Sequence, residues 1–336
     1  MNAEKKVLVL GGTGAMGVYL VPELRKMGYQ VHVVSLDDRK SDDPMLVYTK
    51  GDAKDEEYLT QLLKNGYDAI VDFMIYHTEE FRQRYKLLLE NTSHYIYLSS
   101  YRIYAESEGL ITESSPRLLD VSNDAEFLAS EDYSLYKARG EDILARSGYG
   151  NWTIIRPAIT YSKFRYQLVT LEANVVVHRM MHGKTVVLPE AAMGIQGTMS
   201  WGGDVGKMIA RLVLNRNAMG ERYTVATAEH HTWEEIAGYY AELQGLKYVT
   251  ASVDDFISIV AGDGPDCWAR WQLMYDRMFN RMVDNRKILD VTGLKQSDLM
   301  PLKEGLRREL SALPKGFEWP KTDINTRMDA YLAERK

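Results

Sequence analysis

An apolar run of four residues, Val7-Leu8-Val9-Leu10, stops on Gly11-Gly12-Thr13-Gly14-Ala15-Met16-Gly17, and an amphipathic stretch continues from there as far as Met27. The glycines fit G-x-x-G-x-x-G and, from Gly12, G-x-G-x-x-G. Each has a physical use at this spacing. One lets the chain turn tightly, another lets backbone N–H groups approach a pyrophosphate, and the last lets helix and strand pack closely. The helix N-terminus then offers unpaired N–H donors and a partial positive charge to phosphates. A ligand-free glycine turn is the bland alternative. The strand–loop–helix context favours a dinucleotide, with Gly11, Thr13, Gly14, Ala15, Met16 and Gly17 beside it. No Lys-Ser/Thr comes after the loop, so a P-loop nucleotidase is not supported.

Past the loop the same alternation continues. Gln30–Ser35, Met45–Thr49, Ala69–Ile75, Tyr95–Leu98 and Trp152–Ile155 read as strands. Met16–Met27, Glu56–Leu63, Glu79–Glu90 and Asp132–Arg146 read as helices between them. Such alternation predicts right-handed βαβ units on a parallel sheet. The strands lack period-two patterning, as expected when helices cover both faces. Beyond about residue 160 helical stretches dominate, among them Leu168–Met181 and Trp268–Met282. The expected fold is α/β: a Rossmann-like doubly wound parallel sheet with a smaller mixed α/β substrate-binding domain. Residues 1–160 form the dinucleotide-binding part, which also receives part of 195–225; residues 161–336 form mainly the substrate part.

Composition narrows the class. The 336 residues are 45% hydrophobic and 26% charged, which excludes a disordered or low-complexity chain. The net charge of −6 gives no general pull toward nucleic acid or anionic lipid. A single cysteine, Cys267, excludes an intrachain disulfide and a cysteine-rich zinc site, and points to a reducing compartment. No apolar run reaches a membrane span, and Val7–Leu10 is too short for a signal segment. A soluble cytoplasmic protein is expected. No metal is expected either: His230 and His231 are adjacent and cannot face one point, and the other histidines show no ligand spacing.

The form of the dinucleotide stays open. NAD-selective folds usually end the second strand with Asp or Glu, which holds the ribose hydroxyls. Here Ser35 and Leu36 take that place, with Asp37, Asp38, Arg39 and Lys40 after them. Either an aspartate curls back to the ribose, or Arg39 and Lys40 meet a 2′-phosphate, or the loop is simply solvated. Asp52, with Ala53 after it, could meet the adenine amino group or serve only as a turn residue.

Two further motifs carry acid–base chemistry. Tyr133 and Lys137 stand at i and i+4, on one helical face. An ammonium near a phenol favours the phenolate and brings its pKa toward a useful range. Ser99 and Ser100 end a strand, on the side where open parallel sheets bind ligands. Each motif alone is common on surfaces and in turns. Their order on one βα framework gives them force.

With these residues in view, the chain resembles the extended short-chain dehydrogenase/reductase family, the branch of NAD-dependent epimerase/dehydratase proteins. The stretches that carry the likeness are VLVLGGTGAMG, GDAKD, DAIVDFM, YIYLSSYRIYAESEGLITESSP, YSLYKARGE and WTIIRPAITY, covering most of residues 5–225. The resemblance implies catalytic Ser100, acid–base Tyr133, and Lys137 binding the nicotinamide ribose and tuning Tyr133. It implies cofactor contacts at Phe73, Met74, Ile75, Pro157 and Ala158, and NAD or NADP as cofactor. It implies reversible hydride transfer on a secondary alcohol or ketone, most readily of a nucleotide sugar, by an epimerase or reductase, and a homodimer. A reductase of another small carbonyl compound, or a non-catalytic dinucleotide-sensing or RNA-binding relative, is the alternative. Family dehydratases carry an acidic pair where this chain has Tyr101 and Arg102, so 4,6-dehydration is disfavoured and these two are candidate substrate contacts. The short stretch between Tyr76 and Tyr95 departs from typical sugar epimerases. The run Trp268–Met282 reads as core or as a lid over a pocket, and Asp284–Lys287 as an ordinary helix cap.

Overall fold

The computed structural model describes residues 4–163 and 165–335. Seven parallel strands form the central sheet: β1 (Lys6–Leu10), β2 (Gln30–Ser35), β3 (Leu46–Lys50), β4 (Tyr67–Asp72), β5 (Thr92–Leu98), β6 (Trp152–Pro157) and β7 (Glu221–Val225). Their order across the sheet is β7-β6-β5-β4-β1-β2-β3. The chain therefore starts mid-sheet, runs out to β3, and returns past β1 to build the other side. That reversal opens a crevice at the carboxyl ends of β1 and β4. Val7, Leu8, Val9 and Leu10 are fully buried, as a strand covered by helices on both faces requires.

Five helices matter for the site: α1 (Gly17–Lys26), α2 (Glu56–Leu63), α3 (Thr78–Glu90), α4 (Tyr133–Ala145) and α5 (Gly202–Leu212). The turn into α1 depends on glycine at two places. Gly11 has φ +72°, a left-handed conformation that costs glycine nothing. A Cβ on Gly17 would lie 2.3 Å from the Gly12 carbonyl oxygen. Helix α5 comes from the second half of the chain and packs directly on α1. A Cβ on Gly206 would sit 2.9 Å from the Leu20 amide nitrogen, so only glycine permits this approach.

Helix α4 starts at Asp132, whose Oδ1 accepts from the Ser134 amide at 2.8 Å and the Ser134 hydroxyl at 2.6 Å. Its rotation is fixed by a buried ion pair. Arg156 on β6 donates to both carboxylate oxygens of Glu141, at 2.9 and 2.6 Å. Arg156 also donates to Tyr104 Oη at 2.8 Å, and Tyr104 Oη bonds Thr224 Oγ1 on β7 at 2.7 Å. Tyr133, Lys137 and Glu141 fall at i, i+4 and i+8 on one stripe. Anchoring Glu141 therefore turns Tyr133 and Lys137 toward the end of β5.

The second half forms smaller units. Ile159–Tyr161 pairs in parallel with Met199–Trp201, and Thr185–Pro189 with Lys247–Ala251. Its helix Leu302–Ser311 docks on α1 through buried Glu309, which accepts from Trp201 Nε1 at 2.6 Å and from the Tyr19 hydroxyl. Among the described residues, no helix is long and apolar enough to cross a membrane.

Three elements differ from the expectation. The apolar run Ala69–Ile75 is a strand only to Asp72, because Asp72 Oδ1 accepts the Met74 amide at 2.9 Å and turns the chain out of the sheet. The expected helix Leu168–Met181 begins as a hairpin, Gln167–Leu168 against Leu171–Glu172, with Val169 at φ +53°; the helix starts at Ala173. The stretch Trp268–Met282 is helical only over Cys267–Gln272, then makes one π-helical turn at Leu273–Arg277.

Substitutions at these contacts should separate in stability. Gly17→Ala should lose about 2 kcal/mol or more in denaturant unfolding, because backbone must move to admit the methyl. Gly14→Ala should keep the wild-type midpoint, since its added Cβ meets only the Gly11 carbonyl at 3.6 Å. Glu141→Gln should cost about 3 kcal/mol by the same measurement, because Arg156 is left charged and unpaired in the core.

Candidate active site

A cleft of about 410 Å³ lies over the carboxyl ends of the strands. One wall is the glycine turn: Gly11, Gly14, Ala15, Met16 and Gly17 all border it. The N-terminus of α1 therefore faces the cavity with its positive end. The turn is also a cradle, for a Cβ on Gly14 would meet only the Gly11 carbonyl oxygen, at 3.6 Å. Phe73 and Ile75 after β4, and Pro157 and Ala158 at the end of β6, border the same space. This arrangement fits a dinucleotide laid across the turn, with its phosphates on the loop.

Ser100 and Tyr133 line the same cleft. Ser100 starts the short turn Tyr101–Ile103, and its Oγ accepts from the Arg102 amide at 3.2 Å. The half-buried Tyr133 phenol borders the same cleft as this hydroxyl. Burial pushes the phenol up from its ordinary value; the Arg102 guanidinium, the Ser100 hydrogen bond and Arg165 oppose that. Tyr133 is thus set between desolvation, which favours the neutral phenol, and cations, which favour the phenolate.

Lys137 is placed differently. It is wholly buried and does not border the cleft. Its Nζ donates to the Leu98 carbonyl at 2.7 Å and lies 5.8 Å from the Tyr133 ring centre. Burial pushes its pKa down to about 8, against the pull of Asp72 and Glu141. Asp72 is itself buried and accepts from Tyr95 Oη at 2.8 Å and Tyr76 Oη at 3.1 Å.

Tyr101 and Arg102 both border the cleft. Arg102 lies with Cζ 5.1 Å from the Tyr133 ring centre. Tyr101 is buried, and Arg277 donates to its hydroxyl at 3.3 Å. Arg277 is one of several cleft residues from the second half that the sequence does not single out. Arg165, Gln167, Glu172 and Gln272 are others. None belongs to a motif. Gln167 and Glu172 reach the cleft through the hairpin, and Arg277 through the π-helical turn. The stretch read as core or lid is both: Leu273 is buried, while Gln272 and Arg277 face the cavity. A second chamber of about 380 Å³ adjoins, sharing Arg102, Tyr133 and Gln272 with the cleft and walled by Trp268 and Trp271.

The remaining candidates stand apart from the cleft lining. Ser35 Oγ accepts the Asp37 amide at 3.2 Å, and Leu36 is exposed. Arg39 Nη2 donates to the Thr13 carbonyl at 3.5 Å, which lays its guanidinium over the outer edge of the glycine turn. Asp52 lies at the surface and its carboxylate accepts the Lys54 amide at 2.8 Å; Ala53 is buried. Met74 packs beside Gly11, its sulfur 3.4 Å from where a Cβ there would be.

Residues 7–226 match the model of the NAD dependent epimerase/dehydratase family. The chain is 25% identical over 261 residues to the chloroplast stem-loop binding protein of 41 kDa b of Arabidopsis thaliana, a match covering 73% of this chain and 65% of that protein. It is 28% identical over 173 residues to the UDP-glucose 4-epimerase of Lactobacillus helveticus, covering 48% of this chain and 51% of that one. Each match thus spans less than two thirds of the relative's length. Among solved structures, the UDP-glucose 4-epimerase of Thermus thermophilus in complex with NAD aligns at a TM-score of 0.66 and 19% identity, covering 92% of this chain and 100% of that one. That likeness speaks for the fold. Together with the glycine cradle and the seven-stranded sheet, the family match over well more than half of the sequence means that the chain belongs to the NAD-dependent epimerase/dehydratase family.

Proposed function

We propose that the chain is an oxidoreductase or epimerase that interconverts a secondary alcohol and a ketone on a nucleotide sugar. The observation that carries this reading is that Ser100 and Tyr133 line one cleft with the glycine turn. A bound nicotinamide dinucleotide supplies the hydride acceptor or donor. The chain's own groups supply the rest. Tyr133 Oη, as phenolate, takes the proton of the substrate hydroxyl, and returns it in the reverse direction. Ser100 Oγ donates a hydrogen bond to the oxygen as charge develops on it. Arg102, Arg165 and Arg277 border the cleft, together with Glu172. Guanidinium groups gathered there suit an anionic substrate such as a sugar diphosphate. The names of the curated epimerase relative and of the aligned epimerase structure support the same substrate class.

The 2′-phosphorylated cofactor is the better match. Ser35 itself offers no carboxylate at the end of β2, and Arg39, 3.8 Å from the Asp37 carboxylate that follows, lies against the Thr13 carbonyl on the edge of the turn. The stem-loop binding relative supports a second reading, in which the fold binds RNA.

A panel of UDP-, GDP- and dTDP-sugars should yield a product for at least one member. Tyr133→Phe should lower that turnover by about 10²-fold or more. No product across the panel, together with stem-loop RNA binding that Tyr133→Phe leaves intact, would favour the RNA reading. For the cofactor, Arg39→Ala should weaken NADPH binding about tenfold, the loss of one charge-assisted contact. It should leave NADH binding unchanged, read by fluorescence titration of each dinucleotide.

A further inference from the structure

Arg102 is poorly paired for a charge so far out of water. Its side chain is 14% exposed. Asp276 Oδ2 faces its Nε at 3.5 Å, and neither atom has a hydrogen-bond partner among the described residues. Arg277 is paired with that same oxygen, and Arg281 Nε donates to the other one at 3.1 Å, so Asp276 is already occupied by two buried guanidinium groups. Asp132 Oδ2 stands 3.8 Å from Arg102 Nη2, while Asp132 Oδ1 accepts from the Ser134 amide and hydroxyl. Among the described residues, three guanidinium groups thus meet two carboxylates. The other arginines that border the cleft are better served by the chain. Arg165 donates to the Thr160 carbonyl at 2.8 Å, and Arg277 to the Val169 carbonyl at 2.8 Å. A charged donor left open in a nearly dry site is costly, so it calls for an acceptor that the chain does not supply.

The place of Arg102 in the cleft says which part of a ligand it meets. Its amide donates to Ser100 Oγ at 3.2 Å, so it rides on the turn that starts at Ser100. Its Cζ lies 5.1 Å from the Tyr133 ring centre. Arg102 is therefore at the reacting end of the cleft, beside both groups that act on the substrate oxygen.

We propose that the substrate ring carries a carboxylate on the carbon next to the one that is oxidised, and that Arg102 selects for it. The inference rests on the reading of Ser100 and Tyr133 given above, and it narrows the substrate class to acidic sugars. A substituent on the neighbouring carbon is one bond removed from the carbon whose oxygen Tyr133 and Ser100 hold, which brings it beside the guanidinium. A planar carboxylate matches the guanidinium fork with two parallel hydrogen bonds, whereas a hydroxymethyl group offers one oxygen and no charge. Exclusion of water from the site strengthens such a pair.

The test is binding, not turnover. Calorimetric titrations are run with reduced dinucleotide present, so that no substrate hydroxyl can lose its hydride. UDP-glucuronate is set against UDP-glucose, and UDP-galacturonate against UDP-galactose; within each pair only the carboxylate differs. The wild type should bind the acidic member of at least one pair about tenfold more tightly, the effect of one charge-assisted bidentate contact. Arg102→Gln should bring the members of that pair to within about threefold of each other, and Arg102→Lys, which keeps the charge and loses the fork, should fall between. Arg102→Lys carries the test alone should Arg102→Gln not fold. Equal affinities in the wild type, a preference that survives both substitutions, or an equal loss for acidic and neutral sugars would overturn the assignment. The last is what an arginine serving only to balance Asp132 and Asp276 would give. Methyl glucuronide and methyl glucoside separate this inference from the nucleotide-sugar reading. An Arg102-dependent preference for the glucuronide, with none of the UDP-sugars bound, keeps the acidic substrate and rejects the nucleotide. UDP-sugars bound without preference do the reverse, and no binding by any of these compounds rejects both.

Discussion

Glu141 and Arg156 are two full charges withdrawn from water, at a cost of several kcal/mol for each ion unless geometry repays it. Here the geometry does. The contact is bidentate, and the spare donor of Arg156 is used by Tyr104. Arg117 and Arg222 add positive charge at 3.9 and 4.0 Å from Glu141. The return is positional. One contact joins the helix that carries Tyr133 to β6 and, through Tyr104 and Thr224, to β7. Buried Leu135 and Leu144, and Gly140 packed close on Tyr97, hold the same rotation. A rotation of one residue would carry Tyr133 away from Ser100.

The site is divided between the two halves of the chain in a way that suits its chemistry. The sheet half presents backbone: an α1 N-terminus and a glycine turn, which recognise phosphate without needing a charged side chain. The same half carries Ser100, Arg102 and Tyr133, and the other half adds Gln167 and Glu172 on a hairpin and Arg277 on a π-helical turn. Irregular turns of the latter kind occur often at functional sites, where a regular helix would aim a side chain wrongly. Glu309 keeps the two surfaces in register by accepting hydrogen bonds from Tyr19 on α1 and from Trp201 just before α5.

What the sequence discloses depends on how local the determining physics is. The glycine turn is legible because its spacing is a local pattern, and two of its glycines answer local constraints: Gly11 a positive φ and Gly17 a clash with Gly12. Ser100 and Tyr133 are legible because strand ends and i, i+4 spacing are local patterns. The setting of Lys137 is not. Helical spacing puts it beside Tyr133, but its burial depends on β4, β5 and the distant Asp72. Gln167, Glu172 and Arg277 are not read from their spacing, because they reach the cleft through a turn at Val169 and a widened helical turn at Leu273–Arg277. The early end of β4 is an intermediate case. Ala69–Ile75 looks like an unbroken strand, yet the Asp72 side chain captures the Met74 amide and ends it.

The strand Glu221–Val225 lies at the edge of the sheet next to Trp152–Pro157, and the helix before it packs on the first helix of the chain. The backbone therefore leaves the sheet layer after Pro157, comes back for residues 202–225, and departs again. Neither part is a continuous cassette. A chimera joined near residue 160 would take its border strand and the partner of its first helix from the other parent, so both seams would have to fit foreign surfaces. Exchanges between relatives are thereby confined to replacements within the two excursions, with the returning segment left in place.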